Sequence, residues 1–103
     1  MSGRCAATLR GMAVRSAKRG ARREWARRET PELVLGIRRR LVEALAHAEA
    51  PSARLRSERA IQVVVHEVEL EMLRLTGDLD LALHAGDRTK EICVETVRGL
   101  QRQ

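Results

Sequence analysis

The chain has 103 residues, with 20 Lys and Arg against 14 Asp and Glu, and a single Trp is its only aromatic residue. This length allows one small domain, and the absence of a run of about eighteen apolar residues predicts that nothing spans a membrane. The two Cys lie far apart, without a second Cys or a His at metal-ligand spacing, so we expect no metal site and a reducing intracellular compartment.

The positive charge is concentrated at the N-terminus. Residues 1–29 carry nine Lys and Arg against two Glu, whereas residues 30–103 carry eleven against twelve acidic side chains. Residues 1–31 lack a clear apolar period, and we interpret them as a disordered basic tail. Arginine binds phosphate through two parallel N–H donors, so nucleic acid is the expected target. The tail residues expected to contact it are Arg15, Lys18, Arg19, Arg22, Arg23, Arg27 and Arg28.

The same tail permits two other interpretations. It is rich in Arg, Ala and Ser and has no acidic residue before Glu24, which also fits a mitochondrial transit peptide. In that case the tail is cleaved, and the remainder is a small helical subunit or assembly factor. The simplest interpretation is a tail that only improves solubility.

Thr30 and Pro31 predict the start of a first helix, because Thr caps helix N-termini and Pro fits the first helical position. Apolar residues then recur every four positions from Leu33 to Leu45, and Pro51 closes the run.

A long central helix is predicted next. Residues 57–84 contain no Pro and one Gly, and Ser57 is placed to cap them. Residues 85–91 should form a loop, and a short last helix should run from Ile92 to Leu100. A domain this small without Phe or Tyr is rarely stable alone. We therefore expect the apolar stripe along one face of the central helix to form a dimer core. Its members are Ile61, Val64, Val68, Met72, Leu75 and Leu79.

A long helix between two short helices, behind a basic tail, resembles the histone fold. The closest local likeness, within residues 77–97, is to a divergent or shortened B-type core histone. That family has a Gly-acidic pair, a His seven residues after the Gly, and a basic loop. The positions that carry the likeness are Gly77, Asp78, His84, Arg88 and Thr89.

The resemblance implies an all-α, histone-like dimerisation domain at residues 32–103, paired with an A-type histone or with a second copy. It also implies a structural ion pair between Arg88 and Glu95. The function implied is that of a DNA-binding structural protein of chromatin in the nucleus. The residues expected to contact DNA phosphates are Arg38, Arg39, Arg54, Arg56, Arg88, Thr89 and Lys90.

No catalytic site is expected. None of the three His residues has the spacing of a zinc protease, and no group of nucleophile, His and carboxylate is recognisable. We therefore expect a non-enzymatic protein without a cofactor or a small-molecule substrate.

Overall fold

The computed structural model describes residues 18–102, which form four helices and no strand. This confirms the all-α class. Helix α1 covers residues 18–28 of the described range. The other three helices are α2 at Pro31–His47, α3 at Ala53–Thr76 and α4 at Leu79–Gln101.

Thr30 and Pro31 begin α2 as the sequence predicts. The hydroxyl of Thr30 accepts a hydrogen bond from the backbone N–H of Leu33 at 3.2 Å, and Pro31 takes the first helical turn. The cap supplies an acceptor to one of the N–H groups that helix geometry leaves unpaired. Helix α2 ends at His47, before Pro51 is reached.

The prediction of one central helix over residues 57–84 is wrong at both ends. Ser52, rather than Ser57, caps α3, because its hydroxyl accepts a hydrogen bond from the N–H of Leu55 at 3.2 Å. At the other end Gly77 adopts a left-handed conformation with φ of 69° and stops the helix. Glycine enters this region without the steric cost that a Cβ imposes.

Residues 85–91, predicted as a loop, are helical and belong to α4. Asp78 starts this helix by accepting a hydrogen bond from the N–H of Leu81 at 3.1 Å. Its buried face includes small residues that allow α3 and α4 to pack closely as an antiparallel pair. A Cβ at Gly86 would lie 2.7 Å from Cγ of Glu69, so a larger residue here would displace the side chain of Glu69.

The histone-like order of a short, a long and a short helix is therefore not observed. Helices α2, α3 and α4 have 17, 24 and 23 residues. The predicted central helix is divided by the turn at Gly77, and the predicted last helix is only the second half of α4.

The interpretation of residues 1–31 as a disordered tail is also wrong for the part that the structure describes. Ala21 and Trp25 of α1 are 3% and 2% exposed and belong to the core. Their spacing of four residues places both on one helix face. Trp25 borders the same cleft as Ile37, Val68 and Met72, so α1 packs against α2 and α3.

The predicted dimer stripe packs mostly inside one chain. Val64, Val68 and Met72 are buried among the four helices, and Ile61 is half-buried. Leu75 and Leu79 flank the turn at Gly77 and are 64% and 59% exposed. The buried members of this stripe therefore form part of the core of a helical bundle within one chain, without a second copy.

Replacing Gly77 and Gly36 by alanine should change stability in opposite directions. Gly77→Ala forces a Cβ into the left-handed region and should destabilise the protein by about 1–2 kcal/mol. Gly36 lies inside α2 with no atom near its missing Cβ, so Gly36→Ala should stabilise by about 0.5–1 kcal/mol. Urea unfolding followed by circular dichroism measures both changes. Stabilisation by Gly77→Ala would mean that residue 77 lies inside a continuous helix.

Candidate nucleic-acid interface

Three arginines form a row on the outer face of α1. Arg19, Arg23 and Arg27 are exposed and follow one another at intervals of four residues, opposite the face that buries Ala21 and Trp25. At 1.5 Å of rise per residue the row is about 12 Å long. These three residues are called the α1 arginine row.

Carboxylates neutralise only one end of this row. Glu24 bonds Arg27, and it accepts a hydrogen bond from Nε of Arg28 at 2.9 Å. The hydrogen bonds from Arg27 and then Arg28 lower the pKa of Glu24. Among residues 18–102, no carboxylate lies within ion-pair distance of Arg19 or Arg23.

Two other cations of α1 have acidic neighbours on α4. Lys18 and Arg22 border a groove that also includes Asp80, His84 and Asp87. These carboxylates partly offset the two positive charges. The α1 arginine row is consequently the part of the helix with the most uncompensated charge.

Glu29 fixes the orientation of α1 relative to α4. Its Oε1 accepts hydrogen bonds from Nε1 of Trp25 and from Nε of Arg88, both at 2.9 Å. Nη2 of Arg88 donates to Oε2 at 3.2 Å, across 59 residues of sequence. A guanidinium that donates to both oxygens of a carboxylate is fixed in orientation, and the carboxylate also balances its charge.

Both members of this pair are stabilised in their charged forms. The hydrogen bond from Arg88 lowers the pKa of Glu29 against the opposing effect of burial, and the bond from Trp25 lowers it further. The hydrogen bond to Glu29 raises the pKa of Arg88 in return, with a further contribution from Glu91.

The predicted ion pair between Arg88 and Glu95 is wrong. Arg88 bonds Glu29 and Glu91, and Glu95 is exposed with no ion pair to any residue that the structure describes. Because residues 88–95 form one helix, Glu91 lies one turn from Arg88 whereas Glu95 lies two turns away. Arg88 is thus held by two carboxylates of the same chain, although its side chain is 35% exposed, and is not free to bind an external phosphate.

The predicted phosphate contact by Thr89 is also wrong. Thr89 is fully buried on α4, and its hydroxyl has no hydrogen-bond partner among the described residues. Lys90 is exposed, but it lies in the middle of a helix rather than in a basic loop.

The other predicted phosphate ligands are on the surface, on two different helices. Arg38 and Arg39 are exposed on α2, whereas Arg54 and Arg56 occupy the first turn of α3. Arg54 forms an ion pair with Glu58 at 3.3 Å. Arg15, the remaining predicted tail residue, lies outside the described residues.

Sequence reasoning left the role of Trp25 open and assigned no role to Glu29. The available signal was the spacing of four residues from Ala21 to Trp25 and again from Trp25 to Glu29, which places all three on one side of a helix. The surrounding arginines obscured that pattern.

Cys93 packs as a small apolar side chain, and its burial raises the pKa of the thiol to about 11. Within residues 18–102, no three His, Cys, Asp or Glu side chains are grouped closely enough to hold a metal ion. None of the helices in this range combines the length and apolar character that a bilayer span requires.

Comparison of the chain with protein-family models, curated proteins and solved structures found no match.

Glu29→Gln should destabilise the protein at pH 7 by about 1–2 kcal/mol, since hydrogen bonds between charged groups contribute more than neutral ones. A carboxylate with a lowered pKa stabilises the fold above its unfolded pKa and loses that effect as the pH falls through the folded pKa. The difference in unfolding free energy between the variant and the original protein should therefore narrow as the pH falls below 4.5, the ordinary pKa of this group.

Thermal unfolding followed by circular dichroism between pH 3 and 7 measures this difference. Glu95→Gln is the matched control and should change little, because Glu95 is exposed and forms no ion pair with the described residues. An equal loss of stability in Glu95→Gln would contradict this assignment and support an ion pair between Arg88 and Glu95.

Proposed function

We propose that this chain is a non-enzymatic structural protein that binds DNA through its phosphates, using the α1 arginine row as the central contact. One observation carries the proposal. Arg19 and Arg23 are exposed and have no carboxylate within ion-pair distance among the described residues, on a helix whose opposite face belongs to the core.

A helix that is fixed to the core presents its cations at defined spacing. Trp25 and Glu29 hold α1 in place, so the arginines lose little backbone freedom when they bind. Each guanidinium can bond two phosphate oxygens, and phosphate contacts dominate the affinity of proteins for DNA.

The spacing of the row also favours a function over simple solubility. Like charges four residues apart on a helix repel one another by about 0.2–0.5 kcal/mol per pair. Only Arg27 has a carboxylate partner within the row. A polyanion laid along Arg19 and Arg23 would relieve this repulsion, whereas a purely solubilising face gains nothing from concentrating one sign of charge.

Sequence-independent binding is expected. Contacts to phosphate position a protein on DNA but carry no base information. Arg38 and Arg39 of α2 and the exposed Arg56 of α3 would add contacts of the same kind.

The histone resemblance extends this proposal to chromatin, the nucleus and an A-type histone partner. These remain predictions, and the helix layout gives them no support, because the turn at Gly77 divides the long helix on which histone pairing depends. The proposal therefore rests on the α1 arginine row and not on the family resemblance.

The mitochondrial alternative is disfavoured by the composition of the core. Cleavage near residue 30 would remove Trp25, which is 2% exposed, together with the carboxylate of Glu29 that Arg88 binds. A transit peptide is normally dispensable for the folded protein, whereas this segment contributes its only aromatic side chain.

Neutralising the α1 arginine row should weaken DNA binding and reduce its dependence on salt. In the variant Arg19→Gln, Arg23→Gln, Arg27→Gln, each lost phosphate contact should reduce the slope of log K against log salt by about 0.9. Fluorescence anisotropy with a labelled duplex at several salt concentrations measures affinity and slope together.

The matched control removes three exposed arginines elsewhere, as Arg74→Gln, Arg98→Gln, Arg102→Gln. It changes the net charge by the same amount and should retain most of the salt slope. Equal losses in the two triple variants would mean that net charge, rather than the α1 arginine row, determines binding.

A chain beginning at residue 30 should be strongly destabilised. The loss of the Trp25 side chain alone should cost about 3–5 kcal/mol, as for other large-to-small changes in a core. Thermal melting of the full-length and shortened chains by circular dichroism tests this. Equal melting temperatures would show that α1 is dispensable for the fold and would favour the cleaved transit peptide.

A further inference from the structure

One face of α3 lies outside the core. Ala60, Val64, Val68 and Met72 point into the bundle, and the opposite side of the helix is open. Part of that side borders a groove beside Lys90 of α4.

Six residues follow one another along this face at steps of four and three. Such spacing places all six on one side of the helix, where a second packed helix would contact them. The residues, called the α3 seam, are Leu55, Arg59, Gln62, His66, Glu69 and Leu73.

The α3 seam is complementary to itself in reverse order. Leu55 pairs with Leu73 when a second copy is laid antiparallel, Arg59 with Glu69, and Gln62 with His66. Each pair forms twice about a twofold axis. Leucine then meets leucine at both ends of the interface, the opposite charges meet one turn further in, and Gln62 meets His66 at the centre.

The two charged members of the seam are placed to accept such partners. Glu69 is half-buried over Gly86, and no Lys or Arg of residues 18–102 lies within ion-pair distance of its carboxylate. Arg59 is exposed and donates one hydrogen bond to the backbone carbonyl of Glu49. Its guanidinium has five N–H donors, so it can keep this bond and still bind a carboxylate.

We propose that the α3 seam binds a second copy of this chain in an antiparallel, twofold-symmetric dimer. Leu55 and Leu73, which are 39% and 38% exposed in the single chain, become covered at both ends of the interface. Apolar contact supplies the attraction, and the pairs of Arg59 with Glu69 select the antiparallel register.

Nearby apolar residues widen the contact. Val63 and Leu70 are 50% and 52% exposed beside the seam on one side. Val65 and Val94 border the groove on the other side. A single copy leaves Val63 and Leu70 largely in water and Val65 and Val94 half-buried, whereas the dimer covers them further. This proposal is independent of DNA binding, because the α1 arginine row lies on a different helix.

Charge reversal tests the register directly. Sedimentation equilibrium without DNA should give the original protein a mass of twice the 11.6 kDa of one chain. Arg59→Glu alone and Glu69→Arg alone each create two like-charged contacts per dimer, so each should weaken association by about tenfold or more. An equimolar mixture of the two variants restores both opposite-charge pairs and should recover the original affinity.

Glu43→Arg, an exposed charge reversal on α2, is the control and should leave association unchanged. A monomeric original protein at high micromolar concentration would overturn the proposal and leave the face to a different partner. A mixture as weakly associated as its two components would overturn the antiparallel register.

Disulfide cross-linking gives a second measurement that does not depend on reversed charges. In a Cys5→Ser background, Leu55→Cys mixed with Leu73→Cys should form a covalent dimer under mild oxidation, and neither variant should do so alone. Cross-linking of each single variant with itself, or no cross-linking in the mixture, would contradict the antiparallel arrangement.

Discussion

The position of α1 depends on one carboxylate. Glu29 accepts hydrogen bonds from the indole of Trp25 and from two nitrogens of Arg88. A partly buried carboxylate without such donors would destabilise the fold, since burial of an unpaired charge is costly. The same contacts join the start of the bundle to the middle of α4. Without them α1 would lose the fixed orientation that sets the direction of its arginines.

The start of α2 could be predicted because Thr30 and Pro31 act within a single helical turn. The turn at Gly77 was missed although both of its local signals were present, a glycine suited to a helix C-terminus and Asp78 suited to the next N-terminus. An isolated glycine in an apolar periodic run is also compatible with a continuous helix. The close packing of α3 against α4, which includes Gly86, arises from tertiary contacts and decides between the two possibilities.

The candidate interface was only partly predictable. Its cations could be identified from charge alone, but the arginine row becomes visible only when Ala21 and Trp25 are known to be buried. The contact of Glu29 with Arg88 spans 59 residues, and no local pattern in one sequence specifies so distant a pair. The predicted partner, Glu95, was derived from a loop that the chain does not form.

Trp25 gives the chain an unusually selective optical probe. It is the only aromatic residue, and its indole lies in the core and donates to Glu29. Fluorescence emission therefore reports the environment of α1 alone, whereas far-ultraviolet circular dichroism reports all four helices together. Unfolding curves from the two signals coincide when α1 and the bundle unfold as one cooperative unit. An earlier transition in fluorescence would identify α1 as a separate unit that detaches first.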